Sequence, residues 1–152
     1  MGAELHFCLV LHNHQPVGNF EQVFEQAYQD SYLPFLEVFE PYEELAISLH
    51  TSGPLMEWLE TRHPEYLMRL ASLVAAGRIE IVGGAFYEPI LTMIPSRDRI
   101  GQISGFSRWL EERFGVPVKG MWLPERVWEQ SLTADLARAD IAYTVLDDCH
   151  FR

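Results

Sequence analysis

The chain has 152 residues, with 22 acidic and 11 basic side chains and a formal net charge of -11. This length fits one domain or part of one, and no linker, low-complexity segment or internal repeat divides it. The acidic excess disfavours nucleic acid and anionic membrane surfaces as partners. The apolar run Leu5–Leu11 is too short to cross a membrane and no basic segment precedes it, so we expect a soluble, cytoplasmic protein.

Along the chain, short apolar runs alternate with segments of helical periodicity. The runs that predict strands are Leu5–Leu11, Leu45–His50, Ile79–Val82, Val118–Leu123 and Ala142–Leu146. Five segments predict helices: Glu21–Phe39, Pro54–Thr61, a helix that begins at Pro64, Ser96–Phe114 and Ser131–Ala139. Pro34 predicts a bend in the first helix, and Gly77 ends the third. Ser96 is the predicted N-cap of the fourth helix, and Gly115 follows its end. Because parallel strands need a crossover between them, this order predicts an α/β fold with a parallel sheet and outer helices.

Polar side chains follow each predicted strand. These clusters are His12 to Gln15, His50 to Ser52, Gly83 to Glu88, Glu125 with Arg126, and Asp147 to His150. In barrels and open α/β sheets, the loops that follow the strands build the functional site. The five clusters therefore predict one shared site at the carboxyl ends of the strands.

The segment Gly120–Glu129, with the sequence GMWLPERVWE, places Glu125 and Arg126 between Trp122 and Trp128. Tryptophan faces can support a sugar ring, and an arginine can hold a neighbouring carboxylate ionised. Glu125 is therefore the first candidate for a catalytic carboxylate in sugar chemistry. The alternative is that both tryptophans lie in the core and that Glu125 and Arg126 form a surface pair.

Four segments in this order resemble the signatures of glycoside hydrolase family 57, and most of all its 4-α-glucanotransferase and α-amylase-like members. They are LHNHQP at 11–16, SGPL at 52–55, EIVGGAFYEP at 80–89 and MWLPERVW at 121–128. The resemblance extends over essentially all of residues 1–152 and includes DDCHF at 147–151. One departure is Pro124, where relatives often carry a small residue such as alanine or threonine.

The resemblance implies a retaining enzyme that acts on α-glucans or maltooligosaccharides on a (β/α)7 barrel. It places Glu125 at the position of the nucleophile. The residues expected to contact the substrate are His12, His14, Glu80 and His150 by resemblance, together with Trp122 and Arg126 from the tryptophan-rich segment. We expect no cofactor and no bound metal.

Retaining glycosidases use two carboxyl groups about 5 to 5.5 Å apart. By the resemblance, the second group is an aspartate after a later strand, beyond Arg152. We therefore expect the chain to form the N-terminal part of an incomplete barrel, to carry the nucleophile without the acid/base, and to be inactive alone. Five parallel strands leave open sheet edges, so we expect self-association or a complementary chain that completes the barrel. A non-catalytic glucan-binding fragment is an alternative.

A metal site is the other interpretation of the histidines. His12 and His14 point the same way on an extended segment, and Asp147 or Asp148 could complete a ligand set. Metal-dependent polysaccharide deacetylases use such a set on a related barrel. That interpretation leaves the tryptophan-rich segment unexplained, whereas hydrogen bonding to a sugar explains both histidines. The two cysteines are far apart in the chain and are interpreted as separate thiols.

Overall fold

Five short parallel strands form the centre of the structure, a computed structural model that describes residues 5–151. They are β1 (Val10–Asn13), β2 (Ile47–Thr51), β3 (Ile79–Val82), β4 (Gly120–Met121) and β5 (Tyr143–Thr144). β2 pairs with β1 and β3, and β4 pairs with β5. The Gly83 N–H donates to the Gly120 carbonyl (2.9 Å) and the Trp122 N–H donates to the Gly83 carbonyl (2.8 Å), which joins β3 to β4. The strands therefore lie side by side in chain order.

Six α-helices in the described part of the chain connect these strands. They are α1 (Glu21–Ala27), α2 (Leu33–Phe39), α3 (Gly53–Arg62), α4 (Pro64–Ala75), α5 (Ser96–Phe114) and α6 (Leu132–Arg138). Within residues 5–151, none of them combines the length and the apolar character that a bilayer-spanning helix requires. The parallel α/β architecture predicted from the alternating pattern is confirmed.

The core lies between the helices and one face of the sheet. Leu49, Ile79 and Ile81 belong to this core, and they alternate along their strands with polar residues that point to the opposite, concave face. The helices contribute fully buried side chains, among them Leu36, Leu55, Leu59, Leu70, Ile103, Phe106 and Leu110. Burying each such side chain contributes about 1.5–3 kcal/mol, so this layer holds the strands in place.

Four of the five strands are shorter than predicted, because pairing stops where the neighbouring strand stops, and β3 has the predicted bounds Ile79–Val82. β2 begins at Ile47, and its Ser48 N–H donates to the Leu9 carbonyl (3.0 Å), so residues 5–8 lie outside the pairing; Leu5 and Phe7 are 92% and 82% exposed. β4 and β5 pair over two residues each. The predicted strands Val118–Leu123 and Ala142–Leu146 are therefore too long, and the predicted strands Leu5–Leu11 and Leu45–His50 begin and end too early, since β1 ends at Asn13 and β2 at Thr51.

The predicted helix Glu21–Phe39 is interrupted by a π-helical turn at Tyr28–Tyr32. The Leu33 N–H donates to the Tyr28 carbonyl, five residues back. Pro34 follows directly, and its ring cannot be placed against a carbonyl four residues back in a regular α-helix. In place of the bend predicted at Pro34, the helix has a π-helical turn just before Pro34. Tyr28 and Tyr32, at the two ends of this turn, are buried in the core.

Gly77 and Gly115 end α4 and α5 in the left-handed conformation, at φ 70° and 69°, as their positions predict. The predicted cap at Ser96 is wrong, because Pro95 occupies the N-cap position. The Ser96 hydroxyl instead donates to the Asp135 carboxylate (2.5 Å), which also accepts from Arg99 (3.1 Å). These bonds fasten α6 to the first turn of α5.

Arg78, the residue before β3, binds the segment that connects α2 to β2. Its guanidinium donates to the carbonyls of Phe39 (3.0 Å), Glu40 (2.9 Å) and Tyr42 (2.6 Å), and lies 4.6 Å from the centre of the Phe39 ring. Carbonyls at the end of a helix have no donor within the helix. The Phe39 and Tyr42 carbonyls also accept from the backbone N–H groups of Tyr42 (3.1 Å) and Leu45 (3.0 Å), so the guanidinium adds a second donor to each of them and ties α2 to the sheet.

We predict that Arg78→Lys lowers the free energy of unfolding by about 1–3 kcal/mol, because a single ammonium cannot reach three carbonyls in the geometry of the planar guanidinium. Urea denaturation measures the change. Arg97→Lys is the matched control, since the Arg97 side chain is 91% exposed, and it should change stability by less than about 0.5 kcal/mol. Equal stabilities of the two variants would contradict this role of Arg78.

Candidate active site

The parallel register of β1 and β2 places His12 opposite His50 at the carboxyl ends of the strands. Their Nδ1 atoms are 2.7 Å apart, so one imidazole donates a hydrogen bond to the other. His50 is completely buried and lies so close to Gly84 that a Cβ there would be 2.8 Å from its Nε2. A buried, immobile partner therefore fixes the orientation of His12.

The indole of Trp122 stacks on the His12 ring, with centroids 4.4 Å apart and planes inclined by 8°. Trp122 follows β4 directly, and the hydrogen bond from its backbone N–H to the Gly83 carbonyl fixes its backbone position at the end of the sheet. The guanidinium carbon of Arg126 lies 5.1 Å from the centre of the indole ring system. Stacking thus links side chains that follow β1 and β4.

Glu88, in the loop after β3, lies among three histidines. Its carboxylate contacts Nδ1 of His14 and is 3.9 Å from Nε2 of His12 and 3.7 Å from Nδ1 of His50. The side chain is only 8% exposed. Glu88 has φ 49°, a left-handed conformation that is uncommon for residues other than glycine. The preceding Tyr87 N–H donates to the side-chain oxygen of Gln102 (3.0 Å), which holds the loop on α5.

Glu125 lies in a short 3-10 turn, Pro124–Arg126, that follows β4. Glu125 and Arg126 both have positive φ, 52° and 51°. Such backbone costs on the order of 1 kcal/mol per residue and is concentrated at functional sites. The Arg126 guanidinium pairs with Asp147 (2.8 Å), so this tight turn is held by an ion pair to the segment after β5.

Glu125, Glu88, His12, His14 and Trp122 line one cavity of about 220 Å³. The remaining wall consists of Pro16, Val17, Tyr87 and Pro124. Complete ligand pockets usually enclose roughly 300–1,000 Å³. The cavity therefore has the size of a partial site, and it combines two carboxyl groups, two imidazoles and an indole.

Burial governs protonation in this cavity. Burial lowers the pKa of His12 to about 4, with smaller contributions from His14 and Arg126. Burial also lowers the pKa of His14, although Glu125 opposes that shift, and it lowers the pKa of His50 well below its ordinary value. Burial raises the pKa of Glu88 to about 7, and the nearby charge of Glu125 acts in the same direction. Because the three imidazoles are neutral at pH 7, they offer Glu88 no full positive charge that would offset its burial.

Four of the residues predicted from the sequence line the cavity, namely Glu125, His12, His14 and Trp122. Arg126 lies beside it, and its guanidinium binds Asp147 and not the catalytic candidate. His150 is outside the lining, with Nε2 3.3 Å from the Arg126 carbonyl oxygen. It therefore supports the turn that carries Glu125.

Glu80 and Trp128 are not part of the cavity lining. The Glu80 carboxylate faces the concave side of the sheet but accepts from Ser48 (2.7 Å) and Tyr143 (2.5 Å), one layer below the histidines. Trp128 packs against the hydrophobic core. Of the two tryptophans proposed to support a sugar ring, only Trp122 reaches the cavity.

His50 and Glu88 belong to the polar clusters predicted at the strand ends, but neither was among the residues to which the sequence assigned a site role. A signal existed for His50, because it ends a strand in register with His12. For Glu88 the signal was weak, because its direction depends on a positive φ at a residue other than glycine.

The family model for glycosyl hydrolase family 57 matches residues 8–152. The chain belongs to this family. It is 48% identical over 151 residues to the α-amylase of Pyrococcus furiosus, covering 99% of this chain and 23% of that protein. It is 47% identical over 147 residues to the 4-α-glucanotransferase of Thermococcus litoralis, covering 97% of this chain and 22% of that protein. The chain thus spans less than a quarter of the length of these relatives.

Two solved structures have a similar arrangement of strands and helices. The crystal structure of the Thermococcus litoralis 4-α-glucanotransferase matches with a TM-score of 0.92 at 47% identity, over 95% of this chain and 22% of that one. The α-amylase AmyC from Thermotoga maritima matches with a TM-score of 0.74 over 92% of this chain and 39% of that one. At 20% identity the latter likeness concerns the fold alone. The family resemblance and the incomplete barrel predicted from the sequence are confirmed.

The raised pKa of Glu88 predicts a pH-dependent stability difference between this family 57 chain and its Glu88→Gln variant. Between pH 4.5 and about 7 the folded state binds more protons at Glu88 than the unfolded state does, so the contribution of Glu88 to stability falls as the pH rises. Glutamine does not titrate. As the pH rises across that interval, the free energy of unfolding of the variant should increase relative to that of the wild type by on the order of 2–3 kcal/mol. Above that interval the difference between the two should stay constant. Urea denaturation at a series of pH values measures this, and a difference independent of pH would contradict it.

Proposed function

We propose that this chain carries the nucleophile-bearing part of an α-glucan-active site, with Glu125 as the nucleophile. The observation that carries the proposal is the convergence of Glu125 with His12, His14 and Trp122 on one cavity. The names of the similar proteins, α-amylase and 4-α-glucanotransferase, point to α-glucans or maltooligosaccharides as the substrate class.

The protonation state of the two imidazoles that line the cavity suits an uncharged sugar. A neutral imidazole offers one donor and one acceptor, which matches the hydroxyl groups of a glucose ring. The lowered pKa values of His12 and His14 keep both rings in that form at neutral pH. The indole of Trp122 adds an apolar surface for the ring carbons. These side chains would hold the glucose unit while its anomeric carbon faces Glu125.

In the proposed reaction the Glu125 carboxylate forms a bond to the anomeric carbon while the glycosidic bond breaks. The departing oxygen takes a proton from a general acid. A water molecule or a glucan hydroxyl then attacks the anomeric carbon, gives up its proton to the same group acting as base, and releases Glu125. Water gives hydrolysis, and a glucan hydroxyl gives transfer.

Glu88 is the other carboxyl group that lines the cavity, but it is enclosed by His12, His14 and His50. We assign Glu88 to positioning these imidazoles. The general acid of the resemblance, an aspartate after a later strand, is not among these 152 residues. By themselves these 152 residues would therefore bind glucans without turning them over, and completing the barrel would require polypeptide in addition to them.

We predict no change in product sizes when the purified chain is incubated with maltoheptaose, because no acid protonates the leaving oxygen. Chromatography of the oligosaccharides measures this, with the Glu125→Gln variant as the blank. Turnover above that blank would contradict the assignment. Loss of such turnover in Glu88→Gln would then identify Glu88 as the acid.

We predict saturable binding of maltoheptaose by calorimetric titration, weakened at least about tenfold by Trp122→Ala, because an aromatic side chain at the centre of a contact carries a large share of its energy. Tyr42→Ala is the control, since that side chain is 58% exposed and lies outside the cavity. Absence of saturable heat from the wild-type chain, or equal weakening by the two variants, would contradict glucan binding in this cavity.

A further inference from the structure

His12, His14 and Glu88 bring three metal-ligand atoms together at the mouth of the cavity. Their ligand atoms all lie within 4.8 Å of one another. Two imidazole nitrogens and one carboxylate are a donor set that zinc binds in proteins, with a further position left open. We propose that these three residues form a binding site for a divalent transition metal ion of the zinc type.

The third ligand differs from the one considered from the sequence alone. Asp147 pairs with Arg126 at 2.8 Å. Glu88, from the loop after β3, supplies the carboxylate instead. The donors therefore come from the loops after two strands, and the pairing of β1 and β3 with β2 between them fixes their separation.

The surroundings of His12 suit a metal ligand. A ligating histidine usually binds a partner through its other ring nitrogen, which fixes the ring and its tautomer. The His12 Nδ1 is 2.7 Å from Nδ1 of the buried His50, which leaves Nε2 facing the Glu88 carboxylate at 3.9 Å. When His12 donates from Nδ1 to His50, its Nε2 lone pair is free for the ion. The His50 proton then lies on Nε2.

Glu88 lacks a partner that an ion would supply. Its Oε1 is buried and has no hydrogen-bond partner among residues 5–151, and its side chain is 8% exposed. A buried carboxylate oxygen without a partner costs about 1–3 kcal/mol or more. The left-handed backbone at Glu88 aims the carboxylate at the two imidazoles despite that cost. A bound cation offsets it directly.

The distances fit tetrahedral coordination after small side-chain movements. Zinc lies about 2.0–2.2 Å from nitrogen and oxygen ligands, which places neighbouring ligands about 3.3 Å apart. The His12–Glu88 separation is 3.9 Å, and the open position faces the cavity of about 220 Å³. The ion would use the same ring nitrogens that the proposed function assigns to sugar hydroxyls, so it takes the place of the sugar in this cavity.

Calorimetric titration of the chelator-treated chain with zinc chloride tests the proposal. We expect one ion per chain, and we expect His14→Gln and Glu88→Gln each to weaken binding at least about tenfold. His6→Gln is the matched control, because it removes an exposed imidazole outside the cavity and should leave the affinity unchanged. Circular dichroism of each variant establishes that it is folded.

Absence of saturable zinc binding by the wild-type chain would overturn the proposal. Unchanged affinity in both folded cavity variants, or equal weakening by His6→Gln, would also overturn it. The titration contains no sugar, so this failure leaves the glucan proposal standing. Likewise, a chain that binds zinc but gives no heat with maltoheptaose would retain the metal site and lose the proposed function.

Discussion

The parallel register between β1 and β2 is the constraint on which the cavity depends, because it decides which side chains share the concave face. It places His12 opposite His50, and a slip by one residue would turn His12 toward the helices. Two features oppose such a slip. Leu49 is buried in the core on the opposite face of β2, and the His12–His50 hydrogen bond of 2.7 Å forms only in this register. Packing on one face of the sheet thus specifies the polar cluster on the other.

Several features that lower the free energy of unfolding, namely unfavourable backbone angles and buried polar groups, lie around the cavity. Of the four residues other than glycine with positive φ among residues 5–151, three, namely Glu88, Glu125 and Arg126, lie in the loops that surround it. His50 is buried and its Nε2 has no hydrogen-bond partner in the described part of the chain, and burial raises the pKa of Glu88 to about 7. A protein tolerates such groups only when the surrounding structure holds them. The side chains buried between sheet and helices supply that support, which is why the site lies on loops just above the best-packed part of the chain.

Much of the fold could be predicted from the sequence, because the order of strands and helices depends on local apolar periodicity. The positions of His12, His14 and Glu125 followed from their place after predicted strands, and Trp122 was predicted from the tryptophan-rich segment that contains Glu125. Contacts between distant residues could not be predicted in this way. The partner of Arg126 is Asp147, across a whole helix and strand, and the carboxylate among the histidines belongs to Glu88, whose direction is set by an unfavourable φ. Strand ends were missed for a related reason, since pairing partners and not local sequence determine where a strand stops.

Glu80 shows how a residue can influence the cavity without lining it. Its carboxylate accepts from Tyr143 on β5 at 2.5 Å, although β4 lies between β3 and β5. That contact crosses β4 at Gly120, where a Cβ would lie 2.1 Å from the Tyr143 ring. The tyrosine therefore passes over a glycine and bridges β3 to β5 on the concave face. The Glu80–Tyr143 hydrogen bond holds β4 between β3 and β5. Because Trp122 directly follows β4, this hydrogen bond also helps to fix the position from which the indole stacks on His12. Glu80 is thus connected to the cavity through the spacing of the strands, one layer below the histidines.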